Sequence, residues 1–337
     1  MNIIENWEKN VIVEVLTNYD NQGPEIETLS EFPNNGGGLS GPQYVTKRLV
    51  RCLRSVGIDA YIKWFENHEG EVPYYKESKN PDFYIAIRTP ELITDENYIF
   101  YCRDRPHRTF PKYPKNFVFV SDYVKEFWKH DPMAYDGPVM YSPLDLEYFS
   151  PGLKHPNLIC ASSVINEIKN LDVMCDVVDK VKSKNPDVVF NFFGCMEMWG
   201  HSEMEKRSSI KTYERLLSSA DYVGWIPQEK LKEHLKYSTY FLHLSKTETW
   251  GCAVQEAVSA GCIAITSDIP AMKEIVDHDY KYISNDVESF VSVIDFLYQP
   301  EQLNKRLHLM SEARKWSESL WSYEVMGNRW KRYLESV

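Results

Sequence analysis

Residues 240–268 read Tyr-Phe-Leu-His-Leu-Ser-Lys-Thr-Glu-Thr-Trp-Gly-Cys-Ala-Val-Gln-Glu-Ala-Val-Ser-Ala-Gly-Cys-Ile-Ala-Ile-Thr-Ser-Asp. The aromatic and aliphatic run Tyr240–Leu244 predicts a buried strand, followed by a loop that holds Glu248. Gly251 lets the chain turn tightly into a helix over Cys252–Ala260, with Glu256 about one turn inside it. Gly261 ends that helix, and Ile263–Thr266 predicts the next strand. Strand, loop, helix and strand at this spacing form one unit of a parallel sheet with crossover helices. In open sheets of this kind, ligands sit beyond the carboxyl ends of the strands, beside helix N-termini whose N–H groups attract anions. Glu248 and Glu256 therefore lie near one helix start, where they are placed to accept hydrogen bonds from hydroxyls. The turn through Thr249, Trp250, Gly251 and Cys252 brings the backbone N–H groups of 250–253 toward phosphate.

The same alternation runs outward in both directions. Before this segment, strands are predicted at Val11–Leu16, Ala60–Phe65, Phe83–Ile87, Tyr98–Cys102, Asn116–Val120, Leu158–Cys160, Val188–Phe193 and Tyr222–Ile226. Helices are predicted through Val45, Leu49, Val50, Leu53 and Val56, and over Asp122–His130, Leu171–Lys184, Ser208–Ser219 and Gln228–Tyr237. After it, helices follow at Met272–Val276 and near 287–298, 301–317 and 322–335. A proline-rich stretch with little periodicity, Pro138–Pro156, reads as a linker. The fold class is α/β, with two doubly wound domains facing each other across a cleft: residues 1–150, and residues 151–319. A final helix within 320–337 is expected to cross back to the first domain.

Composition narrows the classes further. The chain has 337 residues, 43% of them apolar and 26% charged, which suits two globular domains and excludes disordered or fibrous readings. No stretch approaches the roughly 20 apolar residues of a membrane-spanning helix. The acidic start, Met1–Glu8, lacks the basic-then-apolar pattern of a signal peptide. Seven scattered cysteines without a C-x-x-C pair, and no N-x-[ST] sequon, predict reduced thiols and a cytoplasmic location, with peripheral membrane association left open. The net charge of −11 argues against a broad nucleic-acid-binding face. Within it, residues 101–115 carry Arg103, Arg105, Arg108, Lys112 and Lys115 against Asp104. That stretch is a solvated loop or a local anion-facing patch.

Several segments together carry a family resemblance. Glu248 and Glu256 form an E-x7-E arrangement followed by Ala257, Gly261 and Ser267-Asp268. Gly36-Gly37-Gly38 precedes the first helix, and Leu144-Asp145-Leu146-Glu147-Tyr148-Phe149-Ser150-Pro151 lies in the linker. Lys169-Asn170-Leu171-Asp172 opens the second domain, and Gly224-Trp225-Ile226-Pro227 follows one of its strands. In this order and spacing the chain resembles the retaining GT-B glycosyltransferases of family 4, the sucrose-synthase-like and bacterial group 1 sugar transferases. The resemblance covers most of the chain.

It implies a metal-independent transferase that moves a sugar from a nucleotide-diphosphate sugar, a UDP- or GDP-sugar, to an acceptor hydroxyl, with no further cofactor. Glu256 would bind the ribose hydroxyls, Glu248 the transferred sugar, and Lys169 the diphosphate. Gly37 and Gly38 would belong to the N-terminal glycine loop, and Trp225 and Ile226 would lie beside the base. His107 or Arg103 would contact the donor sugar or the acceptor, which would be a glycan, a lipid-linked sugar or another hydroxyl compound.

Two departures stand out. An Arg commonly placed some five residues before the Lys is replaced by the stretch Ala161-Ser162-Ser163-Val164-Ile165. Losing such a cation costs roughly 2–4 kcal/mol on the scale of oxyanion-hole deletions. Ser162 or Ser163, or a basic residue such as Lys246 or Arg103, would have to substitute; otherwise the site is slow or inactive. The second departure is Asn18–Asn35, a long polar insertion before the triple glycine, of the kind that shapes acceptor access. Asp277-His278-Asp279, the one Asp-x-Asp triplet, reads as a solvated turn rather than a metal site. Three alternatives stay open: a nucleotide-sugar epimerase, a non-catalytic nucleotide-sugar-binding module, and a transferase whose acceptor is a nucleic-acid base.

Overall fold

The computed structural model describes residues 11–19, 41–66, 81–87, 98–103, 110, 113–195, 203–276 and 286–337. Gly37, Gly38, His107, the Asp277-His278-Asp279 triplet and nearly all of the insertion before the triple glycine lie outside the described residues. The chain divides into two compact units, Met1–Asp145 with Leu320–Val337, and Leu146–Ser319.

In the first unit, β1 (Ile12–Tyr19), α1 (Gly41–Ser55), β2 (Asp59–Glu66), β3 (Phe83–Ile87), β4 (Tyr98–Cys102) and β5 (Asn116–Phe119) follow in chain order. The five strands are all parallel, in the order β2-β1-β3-β4-β5. β4 is buried at every position, as the uninterrupted apolar run Tyr-Ile-Phe-Tyr-Cys requires of a strand covered on both faces. The helix predicted over Asp122–His130 is shorter. It stops as α2 (Asp122–Glu126), because Phe127, Trp128 and Lys129 donate to carbonyls three residues back. Asp131 then caps a separate turn, α3 (Pro132–Tyr135), whose first residue is proline.

The second unit contains β6 (His155–Ser162), a 3-10 turn Glu167–Lys169, α4 (Leu171–Lys184), β7 (Val189–Phe193), α5 (Glu203–Ser219), β8 (Asp221–Gly224), α6 (Gln228–Tyr237) and β9 (Ser238–His243). It continues with α7 (Cys252–Ser259), β10 (Ile263–Thr266), α8 (Pro270–Ile275), α9 (Val287–Tyr298) and α10 (Leu303–Leu320). Its sheet is parallel in the order β10-β9-β6-β7-β8. The first strand of the unit, β6, is thus central, with β7 on one side and β9 on the other. Strand order reverses between β6 and β9, which is the switch point where ligands enter doubly wound sheets.

Several element boundaries differ from the sequence reading, among them the start of β6, the start of α5 and the end of β8. β6 starts at His155, because that residue pairs with Ser238 across a register shift that hydrophobic pattern does not reveal. α5 starts at Glu203, since Glu-Met-Glu-Lys-Arg favours helix without an apolar stripe to announce it. β8 ends at Gly224, which adopts φ +83°, so Trp225 and Ile226 leave the sheet. The unit's core joins Ile159, Val177, Phe190, Phe192, Tyr240, Ile263 and Phe290, all at most 1% exposed. The last helix, α11 (Tyr323–Leu334), belongs to the first unit. There Trp330 is fully buried with its ring 5.6 Å from that of Tyr101, and Cys52 Sγ of α1 lies 3.6 Å from the Tyr323 carbonyl.

Candidate active site

At the switch point, the carboxyl ends of three strands are tied together through backbone. Ser163 N–H donates to the Phe193 carbonyl at 3.0 Å, and Gly194 N–H donates to the Gly224 carbonyl at 3.0 Å. A Cβ on Gly194 would fall 1.9 Å from the Ser163 carbonyl oxygen, so only glycine lets the β7 end lie this close to the β6 loop. Ser163 Oγ is shielded from solvent and makes no hydrogen bond among the described residues.

The β6 loop continues into the 3-10 turn, where Asn166 Oδ1 accepts from Lys169 N–H at 3.2 Å. Asn170 then takes φ +53°, the one non-glycine residue in the left-handed region among those described. Asparagine tolerates that conformation better than most residues, and it redirects the chain into α4 immediately after Lys169. The β9 loop is fastened alongside. Lys246 N–H donates to the Ile168 carbonyl at 2.9 Å, and Lys246 Nζ stands 3.3 Å from Glu167. From the other side, Ser267 N–H donates to the His243 carbonyl at 3.2 Å and Ser267 Oγ to the Ser245 carbonyl at 2.5 Å.

These fastenings bring Glu248 and Lys169 together, with Lys169 Nζ 2.5 Å from Glu248 Oε1. His243 Nε2 lies 3.0 Å from the same oxygen, and Ser245 Oγ donates to it at 3.0 Å. Burial opposes the charge on Glu248, but the hydrogen bond and charge of His243, with Lys169 behind them, outweigh it. The carboxyl is held at about 2, well below the ordinary carboxylate range. Neither His243 nor Ser245 was legible as a site residue, because both fall in or beside the run Tyr-Phe-Leu-His-Leu, where burial is the first expectation. A histidine at the carboxyl end of a predicted parallel strand was the available signal.

Glu256 is 6% exposed within α7 and accepts from Gln228 Nε2 at 3.1 Å. Gln228, the first residue of α6, is a second neighbour that sequence reading passed over. No side chain caps the start of α7, where Gly251 sits with φ −91° and Cys252 begins the helix. Gly251 thus holds no unusual dihedral, and a Cβ there would meet Met272 Cε at 2.7 Å, the movable end of a flexible side chain. Thr249 is half-buried, whereas Trp250 is buried and donates from Nε1 to Gln255 Oε1 at 3.1 Å, as a packing residue does. Trp225 is 42% exposed just past β8, with Ile226 half-buried beside it. Ser163, Lys169, Glu248, Thr249, Glu256, Trp225 and Ile226 therefore all stand on loops or helix starts of the second unit. Arg103 belongs to the first unit, where it is buried at the end of β4, donates to Ser142 Oγ at 2.7 Å and lies over the Tyr101 ring.

Two units, each a Rossmann-like parallel sheet with crossover helices, place the chain in the GT-B class of α/β proteins. The sequence profile of Glycosyl transferases group 1 matches residues 147–316, and the chain belongs to that family. Among curated relatives, it is 26% identical over 111 residues to the phosphatidylinositol N-acetylglucosaminyltransferase GPI3 subunit of Saccharomyces cerevisiae. That match takes in 33% of this chain and 24% of the relative, so the chain spans about a quarter of the curated relatives it matches. Solved structures of similar fold include HepE of Anabaena, crystallised with UDP and glucose, at TM-score 0.69 and 10% identity over 96% of this chain and 99% of that one. A glycosyltransferase from Rickettsia africae aligns at TM-score 0.69 and 12% identity over 97% of this chain and 98% of its own. TarM of S. aureus, crystallised with UDP, aligns at TM-score 0.61 and 14% identity over 75% of this chain and 55% of that one. At these identities the structural likenesses establish the fold.

Proposed function

We propose that the protein is a retaining glycosyltransferase that moves a sugar from a UDP- or GDP-sugar to an acceptor hydroxyl without a metal ion or other cofactor. The observation that carries this reading is the convergence of Lys169, Glu248 and the uncapped start of α7, with Glu256 one turn behind, at the switch point of the second sheet. Solved relatives of the fold crystallised with UDP support the donor class.

In this reading Glu256 accepts hydrogen bonds from the ribose hydroxyls, and Trp225 and Ile226 flank the base. The amides of Thr249–Cys252 and the ammonium of Lys169 receive the diphosphate. Ser163 Oγ, unpartnered and shielded, stands in for the missing arginine. Glu248 orients the transferred sugar. The bond from the anomeric carbon to the phosphate oxygen breaks as the acceptor oxygen attacks the same face, and the acceptor proton passes to the departing phosphate oxygen. The protein contributes orientation, worth up to roughly 7–11 kcal/mol in ideal cases, and a preorganised positive potential at the leaving group. The acceptor is a glycan, a lipid-linked sugar or another hydroxyl compound, and His107 or Arg103 contacts it or the donor sugar. The location is proposed as cytoplasmic or peripheral to a membrane. Among the described residues no helix is long and apolar enough to cross one.

The test is thermal unfolding with UDP, GDP, ADP and TDP and their common sugars, on wild type and Glu256→Ala. One nucleotide at 100 times its dissociation constant should stabilise the wild type by about 2.7 kcal/mol, and the variant should lose that shift. If no nucleotide stabilises the wild type, the donor-site reading is overturned.

A further inference from the structure

Among the described residues, the three hydrogen bonds to Glu248 all end on one oxygen, Oε1, from Lys169 Nζ, His243 Nε2 and Ser245 Oγ. Its other oxygen, Oε2, makes none to any described residue. His243 Nε2 and Ser245 Oγ are themselves 3.1 Å apart, so the histidine, the serine and the carboxylate form a closed triangle. His243 is 5% exposed at the last position of β9, an interior strand buried along its whole length, and Ser245 is anchored by Ser267. Lys169, by contrast, reaches in from a different loop.

We propose that His243 is a positioning residue for donor-sugar recognition: with Ser245 it pins Oε1 of Glu248, so that Oε2 stays aimed at the sugar when the diphosphate draws Lys169 away. This inference rests on the donor-site reading above. A carboxylate oxygen offers two lone pairs, and three donors converge on Oε1. Removing Lys169 to a phosphate leaves two donors for two lone pairs, so the oxygen remains saturated. Without His243, the same departure would leave a largely buried carboxylate held by one serine hydroxyl, free to rotate and to follow the ammonium. An ionised carboxylate oxygen can only accept, so at 3.0 Å from Oε1 the histidine supplies its hydrogen from Nε2, which identifies the ring nitrogen that matters.

The test exploits that atom. A glutamine amide nitrogen can reach the position of Nε2, whereas asparagine is too short. Calorimetry would measure UDP, UDP-glucose and UDP-N-acetylglucosamine on wild type, His243→Gln, His243→Asn and Ser245→Ala, with melting curves for each. The readout is the preference for the better UDP-sugar over UDP, since Glu248 touches the sugar and not the nucleotide. Wild type should show a clear preference. His243→Gln should keep most of it, and His243→Asn should lose about tenfold, the scale of one hydrogen bond to a charged group, while binding UDP as wild type does. Ser245→Ala, which removes only a hydroxyl, should lower the preference in the same direction and keeps the question open to refutation if the histidine variants fold poorly.

Equal preference in the glutamine and asparagine variants, whether kept or lost, overturns the role of Nε2; so does an unchanged preference in Ser245→Ala. A wild type that binds UDP but prefers no UDP-sugar overturns the inference through Glu248. A wild type that binds none of the nucleotides UDP, GDP, ADP and TDP overturns the donor site itself.

Discussion

Glu248 holds a charge in a place where burial alone would discharge it, and His243 and Lys169 keep it ionised. Its folded value of about 2 lies below the ordinary 4.5, so the unfolded chain takes up the proton first as pH falls. The ionised group therefore stabilises the fold fully above about pH 4.5, and this contribution, on the order of 3 kcal/mol, drains away between about 4.5 and 2. Glu248→Gln has no such titration. Its unfolding free energy, measured in urea at pH 6, 4 and 3, should therefore approach that of the wild type as pH falls. A gap that stays constant across this window would show that Glu248 is not charged by its neighbours. Glu248 and Glu256 stood out in the sequence because they fall beside a strand end and a helix start, and Lys169 because its segment carries the family resemblance. Ser245 and His243 did not, since what singles them out is the oxygen they share.

Among the elements, the 3-10 turn Glu167–Lys169 and its junction with α4 decide where the ammonium points. Asn170 at φ +53° is the hinge of that junction. Asn170→Gly should leave stability nearly unchanged. Asn170→Val should cost about 1–2 kcal/mol, because a β-branched residue is poorly suited to the left-handed region. Chemical unfolding of the two variants measures the difference; equal stability would mean that the junction relaxes into another conformation. The strands were read well wherever a full apolar run crosses the sheet, as at Phe83–Ile87, Tyr98–Cys102 and Ile263–Thr266. The ends of β6, α2 and α5 were read less well. A register shift sets the first, backbone hydrogen bonds the second and intrinsic helix propensity the third, rather than hydrophobic period.

Across the whole molecule, the last helix folds with the first sheet. Deleting 320–337 would uncover the α1 face and remove Trp330 from beside Tyr101. Amide exchange should then accelerate in α1 and β4, while β6, β7 and β9 stay protected; uniform loss of protection would mean that the two units do not unfold separately. The proposed chemistry makes a second whole-protein prediction. Once the donor is identified, transfer should proceed at an unchanged rate in excess EDTA, and a chelator-dependent loss restored by divalent metal would overturn the metal-independent mechanism.

The α/β class, the run of strands and helices and the two glutamates near one helix start could be read from the chain itself. Each depends on local period or on the place of a charge beside a strand end and a helix start. Only the tertiary structure decided that strand order reverses between β6 and β9, which brings a lysine and a glutamate 79 positions apart to 2.5 Å. It alone also converged three donors on one carboxylate oxygen. Those relations join residues distant in sequence through packing, and neither period nor composition records a partner across the sheet.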